Sequence, residues 1–248
     1  VTPLNTSTAG EDDPTLTGDM LEIYYNRGDD IWVSTRSSVT AAWSAPAPEP
    51  GLSSASTETN PEITPDGLTI FFASTRPHAA AKGGYDIFVS TRASRGAAWS
   101  TPTPVTELNT AGSDHPGGPP SDLLTMIVIS DTGALGAHDL LISARPATSS
   151  PWSAPAPLSA LNTSSQESSA WLDATATLLY FASSRQAANH DIYLALRPGA
   201  GQPFGAPLNL TSLNSADTDE DPWLSPDLRT IYFSSTRSGS NDLYVATR

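Results

Sequence analysis

The heptapeptide Asp86-Ile-Phe-Val-Ser-Thr-Arg92 decides the fold, because variants of it recur four more times along the chain. The other copies are Asp30-Ile-Trp-Val-Ser-Thr-Arg36, Asp139-Leu-Leu-Ile-Ser-Ala-Arg145, Asp191-Ile-Tyr-Leu-Ala-Leu-Arg197 and Asp242-Leu-Tyr-Val-Ala-Thr-Arg248. β-Branched and aromatic residues dominate each copy, which is typical of a β-strand. The copies lie about fifty residues apart, and a repeat of that length is typical of β-propellers.

A second apolar run precedes each heptapeptide. These runs are Glu22–Tyr25, Leu68–Ser74, Leu124–Ser130, Leu178–Ser183 and Thr230–Ser235. They lack a clean alternation of polar and apolar residues, as expected for strands that are covered on both faces. A blade packed between two other blades provides that environment, so each run is predicted to be the second strand of a blade.

Two further elements flank these strands. The first follows the heptapeptide, as Trp43-Ser-Ala-Pro46, Trp99-Ser-Thr-Pro102, Trp152-Ser-Ala-Pro155 and Phe204-Gly-Ala-Pro207. Because proline lacks a ladder N–H, this element is predicted to be the outer edge strand, with its aromatic side chain between neighbouring blades. The second element is the predicted innermost strand, at Asp13–Leu16, Asn60–Ile63, His115–Gly118, Ser169–Leu172 and Asp221–Leu224.

Four strands in a fixed order, repeated five times, predict an all-β fold: one five-bladed β-propeller of four-stranded blades over residues 1–248. No fourth strand follows Arg248, whereas the chain starts with Thr2-Pro-Leu-Asn5. That start matches Pro207-Leu-Asn209 or Ala160-Leu-Asn162, which end other blades. We therefore expect the N-terminal segment to complete the last blade and close the ring, which removes an open sheet edge.

The charge balance excludes two classes of partner. The chain has 12 Lys and Arg against 26 Asp and Glu, a formal net charge of −14. Such a surface repels phosphate backbones and anionic headgroups, so neither nucleic-acid binding nor membrane insertion is expected. No apolar run approaches the roughly 20 residues of a spanning helix, and cysteine is absent. We expect a monomer, and the start at Val1 rather than Met suggests a processed N-terminus.

The repeats resemble the Pro-Asp repeats of TolB-type propellers. The likeness rests on the turn at Pro226-Asp227 and on the segments Phe72-Ala-Ser-Thr-Arg76 and Gly84-Tyr-Asp-Ile-Phe88. The sequences of these two segments are similar to repeats that accompany OmpA-like modules in bacterial envelope proteins. It covers essentially the whole chain. The resemblance implies a periplasmic or secreted bacterial protein that binds another protein or a cell-wall component.

Residues that recur in every blade are interpreted as structural, because five equivalent positions around a ring cannot all contact one small ligand. The aspartates that start the heptapeptides are expected to anchor the turn into the third strand. Arg76, Arg185 and Arg237 are expected to pair with neighbouring carboxylates.

Function is predicted instead at the start of the innermost strand, which in propellers lines the channel and its entrance. The candidate ligand-binding residues are Glu11, Asp12, Asp13, Glu58, Asn60, Asp114, His115, Ser169, Glu220 and Asp221. A mouth ringed by carboxylates suits a calcium-like cation or a cationic side chain of a partner. The competing interpretation is a hydrated acidic funnel whose carboxylates form turn and cap hydrogen bonds.

The sequence favours binding over catalysis. It contains no nucleophile elbow, zinc-binding His-Glu-x-x-His, phosphate loop or dinucleotide fingerprint. The leading hypothesis is therefore a non-catalytic binding propeller that uses its acidic channel mouth. The first alternative is a metal-dependent lactonase similar to gluconolactonase, and the second is a lectin with sugar sites against Trp171 or Trp223. His115 departs from the Asn/Asp pattern of its neighbours and is a candidate base or metal ligand.

Overall fold

The computed structural model of the protein describes residues 1–118, 122–132 and 135–248. Blade one contains β1 (Glu11–Leu16), β2 (Glu22–Arg27), β3 (Asp30–Thr35) and β4 (Ala47–Pro48). Blade two contains β5 (Glu58–Ile63), β6 (Thr69–Ser74), β7 (Asp86–Thr91) and β8 (Thr103–Pro104). Blade three contains β9 (Asp114–Pro116), β10 (Thr125–Ser130), β11 (Asp139–Ala144) and β12 (Ala156–Pro157).

The remaining two blades differ in strand number. Blade four contains β13 (Glu167–Leu172), β14 (Leu178–Ser183), β15 (Asp191–Leu196) and β16 (Leu208–Asn209). Blade five contains β17 (Asp219–Leu224), β18 (Thr230–Ser235) and β19 (Asp242–Thr247). All pairings between these strands are antiparallel and follow chain order, and the described ranges contain no helix. The predicted all-β five-bladed propeller is confirmed, with three strands in its last sheet.

The hydrophobic core lies between the blades. Each of five apolar clusters combines side chains from two neighbouring blades. Between blades one and two, for example, Tyr24 meets the edge of Trp99 with ring centroids 6.1 Å apart, and Phe72 packs beside them. This position of Trp99 explains its recurrence, because a large aromatic ring fills the widening space between blades.

The outer strands begin four residues later than predicted, directly after the motif ends. They are two-residue pairings that follow the Trp-Ser-x-Pro motif, as where Pro48 lies opposite Trp32. Within the motif, the Ser44 backbone is held by the end of the third strand: Ser44 N donates to Thr35 O at 2.8 Å, and Ser34 Oγ donates to Ser44 O at 2.8 Å. One backbone bond and one side-chain bond replace a regular ladder here, so the motif itself is not a strand.

The N-terminal segment closes the ring through a side chain rather than through a strand. Asn5 Oδ1 accepts from Leu243 N at 2.9 Å, and Asn5 Nδ2 donates to Leu243 O at 3.0 Å. Asn109, Asn162 and Asn214 form the same pair of bonds with the third strands of blades two, three and four. The correct match of Leu4-Asn5 is therefore Leu161-Asn162, and no fourth strand forms in blade five.

Antiparallel order brings the starts of the first and third strands of every blade to one end of the molecule, which we call the upper face. The opposite end, with the turns between first and second strands, is the lower face. Each blade donates a backbone hydrogen bond from the first residue of its first strand to the carbonyl before the third strand of the preceding blade, such as Glu58 N to Asp29 O at 3.0 Å. No helix in the described ranges is long and apolar enough to cross a membrane.

Candidate functional site

The first residue of each innermost strand is a buried structural acid. Glu11, Glu58, Asp114, Glu167 and Asp219 are all 0% exposed. Each accepts hydrogen bonds from the loop before it, as when Ser54 donates to Glu58 through its backbone N at 2.7 Å and its hydroxyl at 2.6 Å. The structure therefore does not bring the candidates Glu11, Glu58 and Asp114 to the channel, because their oxygens hold loops in place.

Arginines complete the same clusters, as the sequence predicted. Arg76 pairs with Glu58 at 3.0 Å and Arg185 pairs with Glu167 at 3.3 Å. Arg237 pairs with Asp219. Each of these guanidinium groups also donates to a backbone carbonyl of the preceding loop, such as Leu52 O for Arg76. The recurring Ser-x-Arg is thus a loop anchor.

The next two residues of the strand form the upper end of the channel. In four blades a β-bulge interrupts the pairing at this point. The bulged residues adopt positive φ although none is glycine: Asp13 (52°), Asn60 (48°), Ser169 (47°) and Asp221 (57°). Left-handed conformations at non-glycine residues are uncommon and cluster at functional sites. The bulge redirects side chains, so neighbours such as Asp12 and Asp13 line one cavity instead of opposite faces.

Blade three lacks the bulge, which corrects the predicted register of His115. His115 lies opposite Ile129, the position that Asp12, Thr59, Ser168 and Glu220 occupy in their own blades. The position of Asp13 is filled by Pro116, which lies opposite Val128. The proline ring holds φ near −65°, so a left-handed bulge cannot form there.

A second ring of residues, immediately before the third strands, completes the mouth. It consists of Asp29, Tyr85, His138, His190 and Asn241. Tyr85 packs against His115 with ring centroids 4.9 Å apart, and His190 Nδ1 lies 2.9 Å from Glu220 Oε2. The sequence analysis missed His138 and His190 as site residues. Their place directly before the aspartate that starts the third strand was the available signal, since that strand end shares the upper face.

Residues of the first ring, together with His138 and His190 of the second, enclose a cavity of about 200 Å³, which we call the upper mouth. Its lining residues are Asp12, Asp13, Asn60, His115, Ile129, His138, Gln166, Ser168, Ser169, His190, Glu220 and Asp221. Seven of the ten predicted ligand-binding residues are therefore in the mouth.

A hydrogen-bond chain fixes the side chains of blades one, two and three. Asn60 Nδ2 donates to Asp13 Oδ1 at 2.6 Å, so Asn60 Oδ1 accepts from His115 Nδ1 at 2.8 Å. Asp13 Oδ2 accepts from the Thr59 hydroxyl at 3.0 Å. The assigned chain leaves His115 Nε2 as an acceptor.

Asp221 is fixed in the same way on the other side of the mouth. Its two oxygens accept from the hydroxyls of Ser169 and Ser234, both at 2.5 Å. Asp221 Oδ2 also accepts from the backbone N of Asp13 at 3.2 Å. By contrast, Asp12 has only a 3.4 Å bond from Asn241 Nδ2. The mouth therefore combines two firmly held carboxylates with a less restrained one.

Crowding of the carboxylates shifts their proton affinities. Burial, followed by the charges of Asp221 and Glu220, raises the pKa of Asp12 to about 7. Burial and then Asp221 also raise the pKa of Asp13 well above its ordinary value. For Glu220 burial again raises the pKa, while its hydrogen bond with His190 opposes the shift. Each shift means that negative charge in the mouth is poorly compensated.

The pKa values of His115 and His190 are shifted in opposite directions. Burial, followed by the neighbouring His138, lowers the pKa of His115 to about 4, so His115 is neutral at physiological pH. The hydrogen bond to Glu220 raises the pKa of His190 above its ordinary value. Among the described residues, no group of three or more His, Asp or Glu side chains is arranged to hold a metal ion. The calcium-like cation expected from the sequence thus gains no support from the ligand geometry.

Comparison with known proteins identifies the fold. No protein-family model and no curated protein sequence matches the chain. An endo-arabinase from Bacteroides thetaiotaomicron VPI-5482 is 11% identical with a TM-score of 0.69, over 98% of this chain and 95% of that one. A putative TolB from Agrobacterium tumefaciens is 14% identical with a TM-score of 0.61, over 97% and 78%.

A third solved structure, a thermostable family-43 glycoside hydrolase, is 9% identical with a TM-score of 0.62, over 99% of this chain and 91% of that one. At such identities the similarity shows a shared propeller fold and nothing about activity. The resemblance to TolB-type propellers is therefore confirmed as a resemblance of fold. The relation to Pro-Asp repeats of OmpA-like envelope proteins stays a prediction.

Proposed function

We propose that the protein is a non-catalytic binding propeller of the bacterial envelope or exterior, which recognises a cationic group of a protein or cell-wall ligand in its upper mouth. The observation that carries the proposal is the crowding of four carboxyl groups, those of Asp12, Asp13, Glu220 and Asp221, among which only Glu220 contacts a basic side chain, His190. Among the described residues that line the mouth there is no lysine or arginine. An inserted ammonium or guanidinium group would supply the missing charge.

The size of the mouth supports recognition of one side chain. A cavity of about 200 Å³ accepts a single lysine or arginine side chain, not a strand or a helix. Gln166 and the buried Ser168 hydroxyl, which has no hydrogen-bond partner, provide further polar atoms on the wall. The net charge of −14 would in addition attract a basic partner over longer distances.

Binding is favoured over acid–base catalysis because the best-placed carboxylates are already engaged. Both oxygens of Asp13 and both oxygens of Asp221 accept hydrogen bonds from the surrounding scaffold. A general acid or base needs a proton path to the reacting atom. Side chains whose oxygens are all held by structural donors suit a fixed electrostatic site better.

The alternatives from the sequence are less well supported. A metal-dependent lactonase needs ligands that converge on one ion, and no such group is found in the described residues. A lectin would need sugar sites against Trp171 or Trp223, and these indoles lie away from the mouth, in a cavity at the lower end. Turnover of D-gluconolactone that is lost in Asp13→Asn would overturn the binding proposal.

The proposal is tested with a matched pair of peptides, acetyl-Gly-Lys-Gly-amide and its norleucine analogue, by isothermal titration calorimetry at low ionic strength. Only the lysine peptide is expected to bind, and raising the salt concentration weakens it. Asp12→Asn is the test variant because Asp12 has just one long hydrogen bond to lose. We expect about a tenfold loss of affinity, equivalent to ~1.4 kcal/mol.

The control is Asp217→Asn, which removes the same charge from an exposed upper-face residue outside the mouth. Equal affinities for the two peptides, or equal losses in both variants, would contradict the proposal. Sedimentation with purified peptidoglycan then separates a cell-wall ligand from a protein partner. Periplasmic or secreted location is tested by fractionation of a bacterium that expresses the gene.

A further inference from the structure

The lower end of the channel holds a second and larger cavity. It has a volume of about 430 Å³, within the range of small-molecule sites. Its walls are mostly apolar and include Leu16, Leu172 and Leu224 from three blades. We call it the lower cavity. A void of about 10 Å³ shares Glu62 with the lower cavity and Asp13, Asn60, Ser169 and Asp221 with the upper mouth.

A glycine in blade three makes room for this cavity. Counted along the sequence from the buried acid that starts each innermost strand, the fifth residue is Thr15, Glu62, Trp171 or Trp223 in the other four blades and Gly118 in blade three. A Cβ atom on Gly118 would lie 3.0 Å from Trp171 Cδ1 and 3.4 Å from Glu62 Oε2. Any side chain at this position would therefore press against the Trp171 indole and project toward Glu62.

The two indoles are rigid walls. Trp171 meets the edge of Tyr180 with centroids 6.0 Å apart, and Trp223 meets Tyr232 in the same way at 6.1 Å. Trp223 is 5% exposed. Edge-to-face packing of this kind fixes ring orientation. Fixed indoles attract organic cations through their negative faces, more strongly where water is excluded.

Glu62 is the group in this cavity that lacks a matching partner. Thr15 Oγ1 donates to Glu62 Oε2 over a long 3.3 Å, and no ion pair with Glu62 occurs among the described residues. Burial raises the pKa of Glu62 well above its ordinary value. The other acid of the lining, Asp173, is fully engaged by Thr175, Thr177 and Leu178.

We propose that the lower cavity is a second ligand site, for a small organic cation with an aromatic body whose ammonium group pairs with Glu62 beside Trp171 and Trp223. The aliphatic walls bury the body of the ligand, the indoles face its charge, and the carboxylate supplies a charge-assisted hydrogen bond. This site is distinct from the upper mouth, since it lies at the opposite end of the strands.

The test compares 2-phenylethylammonium with 2-phenylethanol, which has nearly the same shape without the charge. Binding is measured by calorimetry and by quenching of tryptophan fluorescence. The ammonium compound is expected to bind at least about tenfold more tightly. Glu62→Gln, which keeps the shape of the side chain, removes most of this preference and leaves the affinity for the alcohol within about twofold.

Two further variants locate the ligand. Gly118→Ala narrows the cavity and weakens both compounds, and thermal melting confirms that it folds. The exposed Asp217→Asn removes one charge elsewhere and leaves both affinities unchanged. Equal binding of the two compounds, no binding of either, or a loss that follows Asp12→Asn instead of Glu62→Gln would overturn the proposal. The last result would assign the amine to the upper mouth.

Discussion

The upper mouth and the lower cavity are built by the same five strands, yet their chemistry is opposite. At the upper end Asp12, Asp13, Glu220 and Asp221 crowd around polar neighbours. At the lower end, two or three residues further along the same strands, aliphatic side chains and two tryptophans surround Glu62, the acid of that lining without strong hydrogen-bond partners. The backbone repeat is common to both ends. The comparison therefore shows that the fold supplies positions, and that the few side chains outside the repeat decide what each position recognises.

The largest expected effect is a loss of folding stability, which would disrupt the upper mouth and the lower cavity together. Asn5→Ala removes the clamp between the first and last blades and leaves the buried N and O of Leu243 without those partners. Leu243 O keeps its bond from the Val1 amino group at 2.6 Å, so one buried N–H is left unsatisfied and one further hydrogen bond is lost. Together these losses cost about 3 kcal/mol, which lowers Tm by roughly 9 °C for a chain of this size. Urea unfolding and thermal melting measure the loss. Asn189→Ala, which removes one exposed bond, serves as control and should cost far less.

The next effect is a pH dependence of stability that distinguishes the upper mouth from the lower cavity, because it depends on the crowding of carboxyl groups in the upper mouth. The folded-state pKa of Asp12 is about 7 against an ordinary value of 3.8. Between these values the folded protein binds more protons than the unfolded chain, so the contribution of Asp12 to stability falls as pH rises. Asp12→Asn lacks this loss and should gain about 2 kcal/mol over the wild type between pH 4.5 and pH 6.

Urea unfolding at these two pH values measures that gain as a difference between the proteins. Asp217→Asn should follow the wild type at both. If Asp12→Asn also followed the wild type, the carboxylates of the mouth would not be crowded, and the contrast with the lower cavity would lose its electrostatic basis.

A smaller effect changes the stability of the scaffold without changing ligand binding in the upper mouth or the lower cavity. Ser53 occupies the position of the clamping asparagines in blade one, and its buried hydroxyl has no hydrogen-bond partner. Ser53→Asn would restore the two bonds, here with Ile31, and should raise stability by about 1 kcal/mol. Affinities at both ends should be unchanged. Ser53→Ala is the control: a gain as large as that of Asn would mean that removal of the hydroxyl, not the clamp, is responsible.

The smallest effect sharpens the description of the upper end without altering stability measurably. In an NMR titration of the histidines, the His115 signal should move with a midpoint near pH 4, and that of His190 above its ordinary value. A His115 midpoint near 6.5 would show that the ring is exposed and charged in weak acid. The upper mouth would then contain a compensating cation.

Sequence analysis predicted the repeat architecture well and the site in part. Repeated aromatic strands, the Trp-Ser-x-Pro motif and the arginines have local signatures that recur five or nearly five times. The upper mouth was located through the variable acids, and seven candidates are there. The contributions of His138 and His190 were missed because they lie far along the chain from the acids that they meet.

The register of His115 was also misjudged, for a conformational reason. A left-handed residue adds one position to the innermost strand in four blades, whereas Pro116 prevents this insertion in blade three. Counting along the sequence cannot detect an inserted bulge. Glu11, Glu58 and Asp114 were placed in the channel because a strand start was expected to face it, whereas hydroxyl and backbone donors of the preceding loops hold these acids in the interior.

The sequence by itself determined the number of blades, the order of strands, the acidic character and the residues that recur, since these depend on local pattern and composition. Only the tertiary structure decided which side chains share a cavity. Ring closure places residues from five blades around one axis, and distances between blades are set by packing of the aromatic clusters. The crowding of acids in the upper mouth and the placement of Glu62 beside the tryptophans in the lower cavity both arise from that closure. Local sequence does not determine that these side chains, which come from different blades, lie close together.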